Sequence, residues 1–202
     1  MPKTISNFAS IALLAASSSI GCAEVGEANG TEPNANELAT EALHSNSFPS
    51  LPDPSLAVPE GNSLEFYLRA TGVQIYACQA ASTGFAWTFQ APEASLVDRR
   101  GHVVVKHYGG PTWEYLDGSK VVASKVAGFT DDATAIPELL LAATTHEGDG
   151  RMSDITYIQR LDTHGGLAPT DGCDAVHVGS TARIDYTATY YFYRAKHASC
   201  GR

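Results

Sequence analysis

The chain has 202 residues, 44% of them hydrophobic, and a formal net charge of −9. That length and apolar content provide one ordinary domain with a real core, plus additional segments. The acidic balance argues against electrostatic binding to nucleic acid or to an anionic membrane surface.

Lys3 precedes an apolar, small-residue run, "FASIALLAASSSIGC", that ends at Cys22. The run is too short to span a bilayer as a mature helix, for which about 20 apolar residues are needed. Residues 1–22 therefore read as a secretory signal peptide. Two cleavage patterns compete. "SIGC" resembles a bacterial lipobox in which Cys22 becomes lipidated, with Ser19 standing where Leu is usual. Ordinary signal peptidase would instead cut after "GCA", where Gly21 and Ala23 are small. Residues 23–50 follow with five Glu, no Lys or Arg and almost no aromatic residues. Such a segment buries too little apolar surface to offset its ordering entropy and reads as a disordered acidic tether. The folded unit is then residues 51–202, a single domain with 17 acids against 12 bases.

Within it, short runs alternate apolar and polar residues with period two. "NSLEFYLRA" puts Leu64, Phe66 and Leu68 on one face. "GVQIYACQ" alternates Val73, Ile75 and Ala77 with Gln74, Tyr76 and Cys78. "FAWTFQA", "HVVVKHY", "SKVVASKVAG", "SDITYIQRLD" and "ARIDYTATYYFYRA" complete the set, with Ile184, Tyr186, Ala188, Tyr190 and Phe192 sharing a face in the last. These runs are β-branched and aromatic, and Gly, Asp or Pro clusters separate them. The pattern predicts an all-β domain, an antiparallel β-sandwich or barrel of about 7–10 strands with at most one short helix. That helix would be "IPELLLAATTHEG", where Pro137 suits a first turn and "ELLLAA" has high helix propensity. The tract ends in a turn before another strand, so residues 136–145 fit helix and strand equally.

In an exported chain thiols oxidise. With Cys22 removed or lipidated, Cys78, Cys173 and Cys200 remain. The simplest outcome is one bridge and one leftover. Cys78 lies on a strong strand pattern and Cys173 in a Gly/Asp turn, which predicts a Cys78–Cys173 disulfide. Cys200, near the C-terminus, is left without an assigned partner. No C-x-x-C spacing points to a metal.

"HYGGPTWEYLDGSK", residues 107–120, concentrates the chemistry-bearing residue types. As structure, "GGP" breaks a strand, "TWEY" resumes it, and "DG" turns into the next. As a site, Glu114 would pair with Glu93 of "APEA", because two carboxylates at a suitable distance cleave glycosides, with His107 as a third polar group. His102 and His107 lie on opposite faces of an unbroken strand, so they do not share a metal. Trp113, Tyr108 and Tyr115 are the aromatic candidates for binding, since rigid rings give contact area at low entropy cost. There is no nucleophile elbow, no D-x-D-x-D-G loop and no cofactor motif.

Several motifs agree in order with a known family. "GVQIYACQ", "WTFQAPEASLVD", "HYGGPTWEYLDGSKV", "ITYIQRLDTHGG", "APTDGCDA" and "YTATYYFYR" resemble the bacterial and fungal family named domain of unknown function 3455, over about residues 50–195. Some fungal members carry the label malate dehydrogenase. This sequence has no G-x-G-x-x-G between a strand and a helix and no alternating β/α pattern, so its residues do not support an NAD-dependent dehydrogenase. The resemblance implies a domain and imports no mechanism. The expectation is an exported protein, secreted or lipid-anchored at the cell envelope, that binds a small ligand, a glycan or a protein without catalysis. Its membrane contact would be limited to the lipid anchor. The alternative is an extracytoplasmic hydrolase or metal-dependent enzyme using Glu93, Glu114 and His107.

Overall fold

The structure, a computed structural model, describes residues 49–196. The expectations for the signal peptide, the lipidated Cys22, the acidic tether and Cys200 lie outside the described residues. Eight antiparallel strands follow one another around a closed barrel. They are β1 (Asn62–Ala81), β2 (Gly84–Val97), β3 (Val103–Tyr108), β4 (Thr112–Tyr115), β5 (Lys120–Phe129), β6 (Glu138–Glu147), β7 (Ile155–Gly165) and β8 (Thr181–Ala195). The last strand closes on the first, with Leu68 opposite Tyr190 and Ala70 opposite Ala188. The predicted all-β class is therefore a barrel, not a two-sheet sandwich. Closure removes the unpaired edges that an open sheet of this length would carry.

Two stretches read as separate strands, "NSLEFYLRA" and "GVQIYACQ", are one continuous β1. It pairs with β2 through its C-terminal half and with β8 along nearly all of its length. Such a strand must bend around the barrel, and irregularities at Leu64/Phe66 and Ile75/Tyr76 supply the breaks in register. Gly72 lies where β1 presses closest on β2. A Cβ there would collide with the Glu93 carbonyl and the Ala94 backbone, so only Gly fits.

The tract at residues 136–145, equally fit for helix or strand, is strand β6. Its alternation is hidden because both faces are apolar. Leu141 belongs to the barrel interior and Leu139 packs against that core, while Leu140 joins an outer cluster with Leu56 and Leu161. Leu56 comes from a 3-10 turn, Pro54–Leu56, capped by Asp53, whose carboxylate accepts from the Ser55 N–H. The segment before β1 thus lies against the outside of β6 and β7, where the Leu56 carbonyl accepts from Gln159 Nε2 at 2.6 Å. Tyr193, on the same outer side of β8, donates to Gln159 Oε1 at 2.6 Å. This cover explains why Tyr190 and Tyr193 are both buried although they face opposite ways.

The ends of the barrel differ. At one end, the β6–β7 connection folds Met152, fully buried, onto Phe192, Ile155 and Ile158 in the main core. Asp117 and Ser119 in the β4–β5 turn hold it there: the Arg151 N–H donates to Asp117 and the Met152 N–H to Ser119 Oγ. At the other end, the β7–β8 connection is bonded by Cys173 to Cys78 of β1, across a sequence separation of 95. The predicted disulfide is present. Trp87 Nε1–H donates to the Asp171 carbonyl and Tyr76 Oη–H to the Gly166 carbonyl, fixing the same connection.

Candidate functional site

β3 and β4 are the shortest strands, six and four residues. β3 pairs with β2 only from Ala94 to Val97, and β4 reaches β5 only from Lys120 to Val122. Beyond those pairs no ladder joins β2 to β5. The tight "GGP" turn, with Gly110 at a φ of 116°, closes the β3–β4 hairpin at the bottom of this gap. The "GGP" motif is therefore a strand break, as its glycines and proline predict, and the break makes a notch in the wall.

Behind the notch lies a cavity of about 460 Å³. Phe89, Gln90 and Pro92 of β2 line one side, Ser124 and Lys125 of β5 the other, and Gly110 and Pro111 the lower rim. Inside are Gln74, His107, Trp113, Leu139, Leu141, Arg160 and Tyr190. Register places these inward. Trp113 pairs across β3–β4 with His107, which itself faces Ala94, and Arg160 pairs with both Leu139 and Tyr190. Directly opposed residues share a face, so all of them project into the barrel. Eight-stranded barrels are of a width that their side chains fill completely or that holds one small ligand. This barrel does both, one at each end.

His107 and Trp113 stack with ring centroids 4.2 Å apart and planes 10° from parallel, and Tyr190 meets both edge-on. His107 Nδ1 lies 2.9 Å from the Thr112 carbonyl. A carbonyl only accepts, so Nδ1 carries the proton and Nε2 is left as an acceptor. Burial away from water pushes the His107 pKa down to about 3; the Thr112 carbonyl opposes this and the nearby positive charge of Arg160 adds to it. At neutral pH the ring is an uncharged wall of the cavity. Burial drives the phenol of Tyr186 far above its ordinary range, and its hydroxyl lies 3.3 Å from that of Tyr190.

Arg160 donates from Nε and Nη2 to the Pro137 carbonyl, at 3.2 and 2.6 Å, which leaves Nη1 without an acceptor among the described residues. Among the described residues no carboxylate forms an ion pair with it. Gln74 Nε2 and Trp113 Nε1 are buried and also lack a hydrogen-bond partner. Buried N–H groups without partners are rare in folded proteins, because each carries its full desolvation cost. Gln74 and Trp113 both line this cavity.

Of the residues singled out in the sequence, His107 and Trp113 belong to the cavity. Glu93 does not: it lies on the outer wall, where Arg183 Nη2 pairs with its carboxylate at 2.9 Å. Glu114 lies outside as well, accepting from Tyr108 Oη–H at 2.9 Å. The alternation of β2, β3 and β4 that turns His107 inward turns both acids and Tyr108 outward. Tyr115 points inward but towards the filled end, against Phe66 at a centroid distance of 6.4 Å. The structure therefore separates Glu93 and Glu114 from His107, and Tyr108 and Tyr115 from Trp113. Among the described residues no cluster of three or more His, Cys, Asp or Glu side chains is placed to hold a metal.

Gln74 and Arg160 were not singled out in the sequence. Both sit in period-two runs where a long polar residue ordinarily marks the solvent face. In β7 the outer positions Gln159 and Leu161 are buried too, so alternation alone does not tell inside from outside.

No curated protein and no solved structure matches the chain. The profile of the family described as "Protein of unknown function (DUF3455)" matches residues 59–194, from just before β1 to the end of β8. The matched region includes all eight barrel strands and every cavity residue named above, and the chain belongs to this family of proteins of unknown function.

Proposed function

We propose that this protein is an exported, non-catalytic binding protein that holds one small molecule inside its barrel. The observation that carries this reading is the cavity of about 460 Å³ behind the β2–β5 notch, lined mostly by apolar side chains with a few polar groups, among them Arg160, Gln74 and Lys125. Small-molecule sites have this composition: an apolar enclosure with a few placed polar groups, in volumes of about 300–1,000 Å³. The dispersal of Glu93, Glu114 and His107 on opposite faces of the wall favours binding over carboxylate catalysis. His107, neutral far below pH 7, is a poor proton acceptor for general-base work. Export is supported by the signal-like N-terminus and by the Cys78–Cys173 disulfide, a bond of oxidising compartments. No helix among the described residues is long and apolar enough to cross a membrane, which is compatible with the same compartment.

The test is a titration of the purified full chain with N-phenyl-1-naphthylamine, a neutral apolar dye that fluoresces when enclosed. Saturable binding at one dye per chain, lost when Leu139→Trp fills the cavity, is the expected result. Absence of saturable binding, or binding indifferent to that substitution, would overturn the reading.

A further inference from the structure

The charge inside the barrel is opposite to the charge of the chain. The whole molecule carries −9, yet the cavity is lined by two cations, Arg160 within and Lys125 at the rim, and by no acid. Arg160 is the unusual member. Its backbone position places it opposite Leu139 and Tyr190, inside the barrel, and its guanidinium is tied by two donors to the Pro137 carbonyl. That tie fixes the plane of the guanidinium and leaves Nη1 free. A guanidinium held in this way offers its remaining N–H groups as a preset donor pair, and its natural complement is a carboxylate. Arg160 is partly buried, so water screens its charge less than that of a fully exposed cation.

Resting on the binding reading above, we infer that the cavity selects a compact apolar monocarboxylate, its anionic head on Arg160 and its body against Trp113, Leu139 and Leu141. No acid lines the cavity to repel the head. The apolar floor excludes ligands that are polar throughout, since their hydroxyls would find no partners along Leu139, Leu141 and Pro92.

Competition against N-phenyl-1-naphthylamine tests the inference on the unaltered full chain. 2-Naphthoate and its neutral, near-isosteric amide 2-naphthamide differ in the charge of the head. The acid is expected to displace the dye at a concentration at least tenfold lower than the amide at pH 7. Arg160→Gln is expected to remove that preference while shifting the amide by less than threefold; Arg160→Lys, which keeps the charge, is expected to retain part of it. Equal displacement by acid and amide would overturn the anion inference and leave the cavity reading standing. Loss of both ligands equally in Arg160→Gln, with the fold intact by far-ultraviolet circular dichroism, would likewise overturn it, because Arg160 would then only shape the wall. A failure of the dye itself to bind would fall on the cavity reading instead.

Discussion

The two ends of the barrel are built from the same eight strands and solve opposite problems. At the filled end, Met152 is folded in from the β6–β7 connection, Phe66 stacks on Phe192 at 4.7 Å, and Asp117 and Ser119 accept the N–H groups that bring the connection over. At the notched end, the connection is held by a disulfide and two side-chain hydrogen bonds to backbone carbonyls, and the interior keeps a void. Packing holds the first end and cross-links hold the second. The difference teaches why the disulfide is where it is: an end that gives up core volume to a cavity must be tied by other means.

Removing the tie should therefore have the largest effect. The double variant Cys78→Ala/Cys173→Ala opens a loop of 95 residues, which the chain-entropy model values at about 4–5 kcal/mol. Urea unfolding with and without reductant measures it. An unchanged midpoint would mean that packing holds the notched end as well.

The second contrast sets one large side chain at each end against the other. Met152→Ala empties a fully packed position and should cost about 2–5 kcal/mol. Leu139→Ala, at a position already bordering a void, should cost about 1 kcal/mol, because fewer contacts are lost. Equal losses would show that the cavity wall is as tightly packed as the plug.

The smallest effect concerns His107, in the cavity wall. Its folded pKa of about 3 lies below its ordinary value, so the unfolded chain takes up a proton here that the folded chain refuses. Stability then falls as pH drops below about 6.5, by about 1.4 kcal/mol per pH unit, until the folded pKa is reached. Between pH 6.5 and 5.5 the unaltered protein should lose about 1 kcal/mol more than His107→Gln. Parallel losses in the two would place the His107 ring in contact with water.

How much of this was readable beforehand depends on what covers each strand. The runs in β2 and β5 alternate because one face meets the interior and the other meets solvent, and period two is visible there. β6 was ambiguous because Leu56 covers its outer face, so "ELLLAA" lost its alternation and kept only its propensity. In the stretch from His107 to Lys120 the residue types are legible but their grouping in space is not. Its aromatic and acidic side chains alternate across a wall, and His107 and Trp113 meet only because the β3–β4 hairpin sets them opposite each other. The void itself had no signature, since it depends on how short β3 and β4 are relative to β2 and β5. Arg160 was hidden for the same reason as Leu140: on a strand buried from both sides, sequence does not say which way a side chain points.

The missing ladder between the free lengths of β2 and β5 has a mechanical consequence. Those two lengths border the cavity from either side with no ladder between them, and the Gly110–Pro111 turn lies between. Because no ladder spans the gap, a change in its width would break no interstrand bond between them. On the binding reading proposed above, entry to the cavity would then be decoupled from the cooperative melting of the molecule.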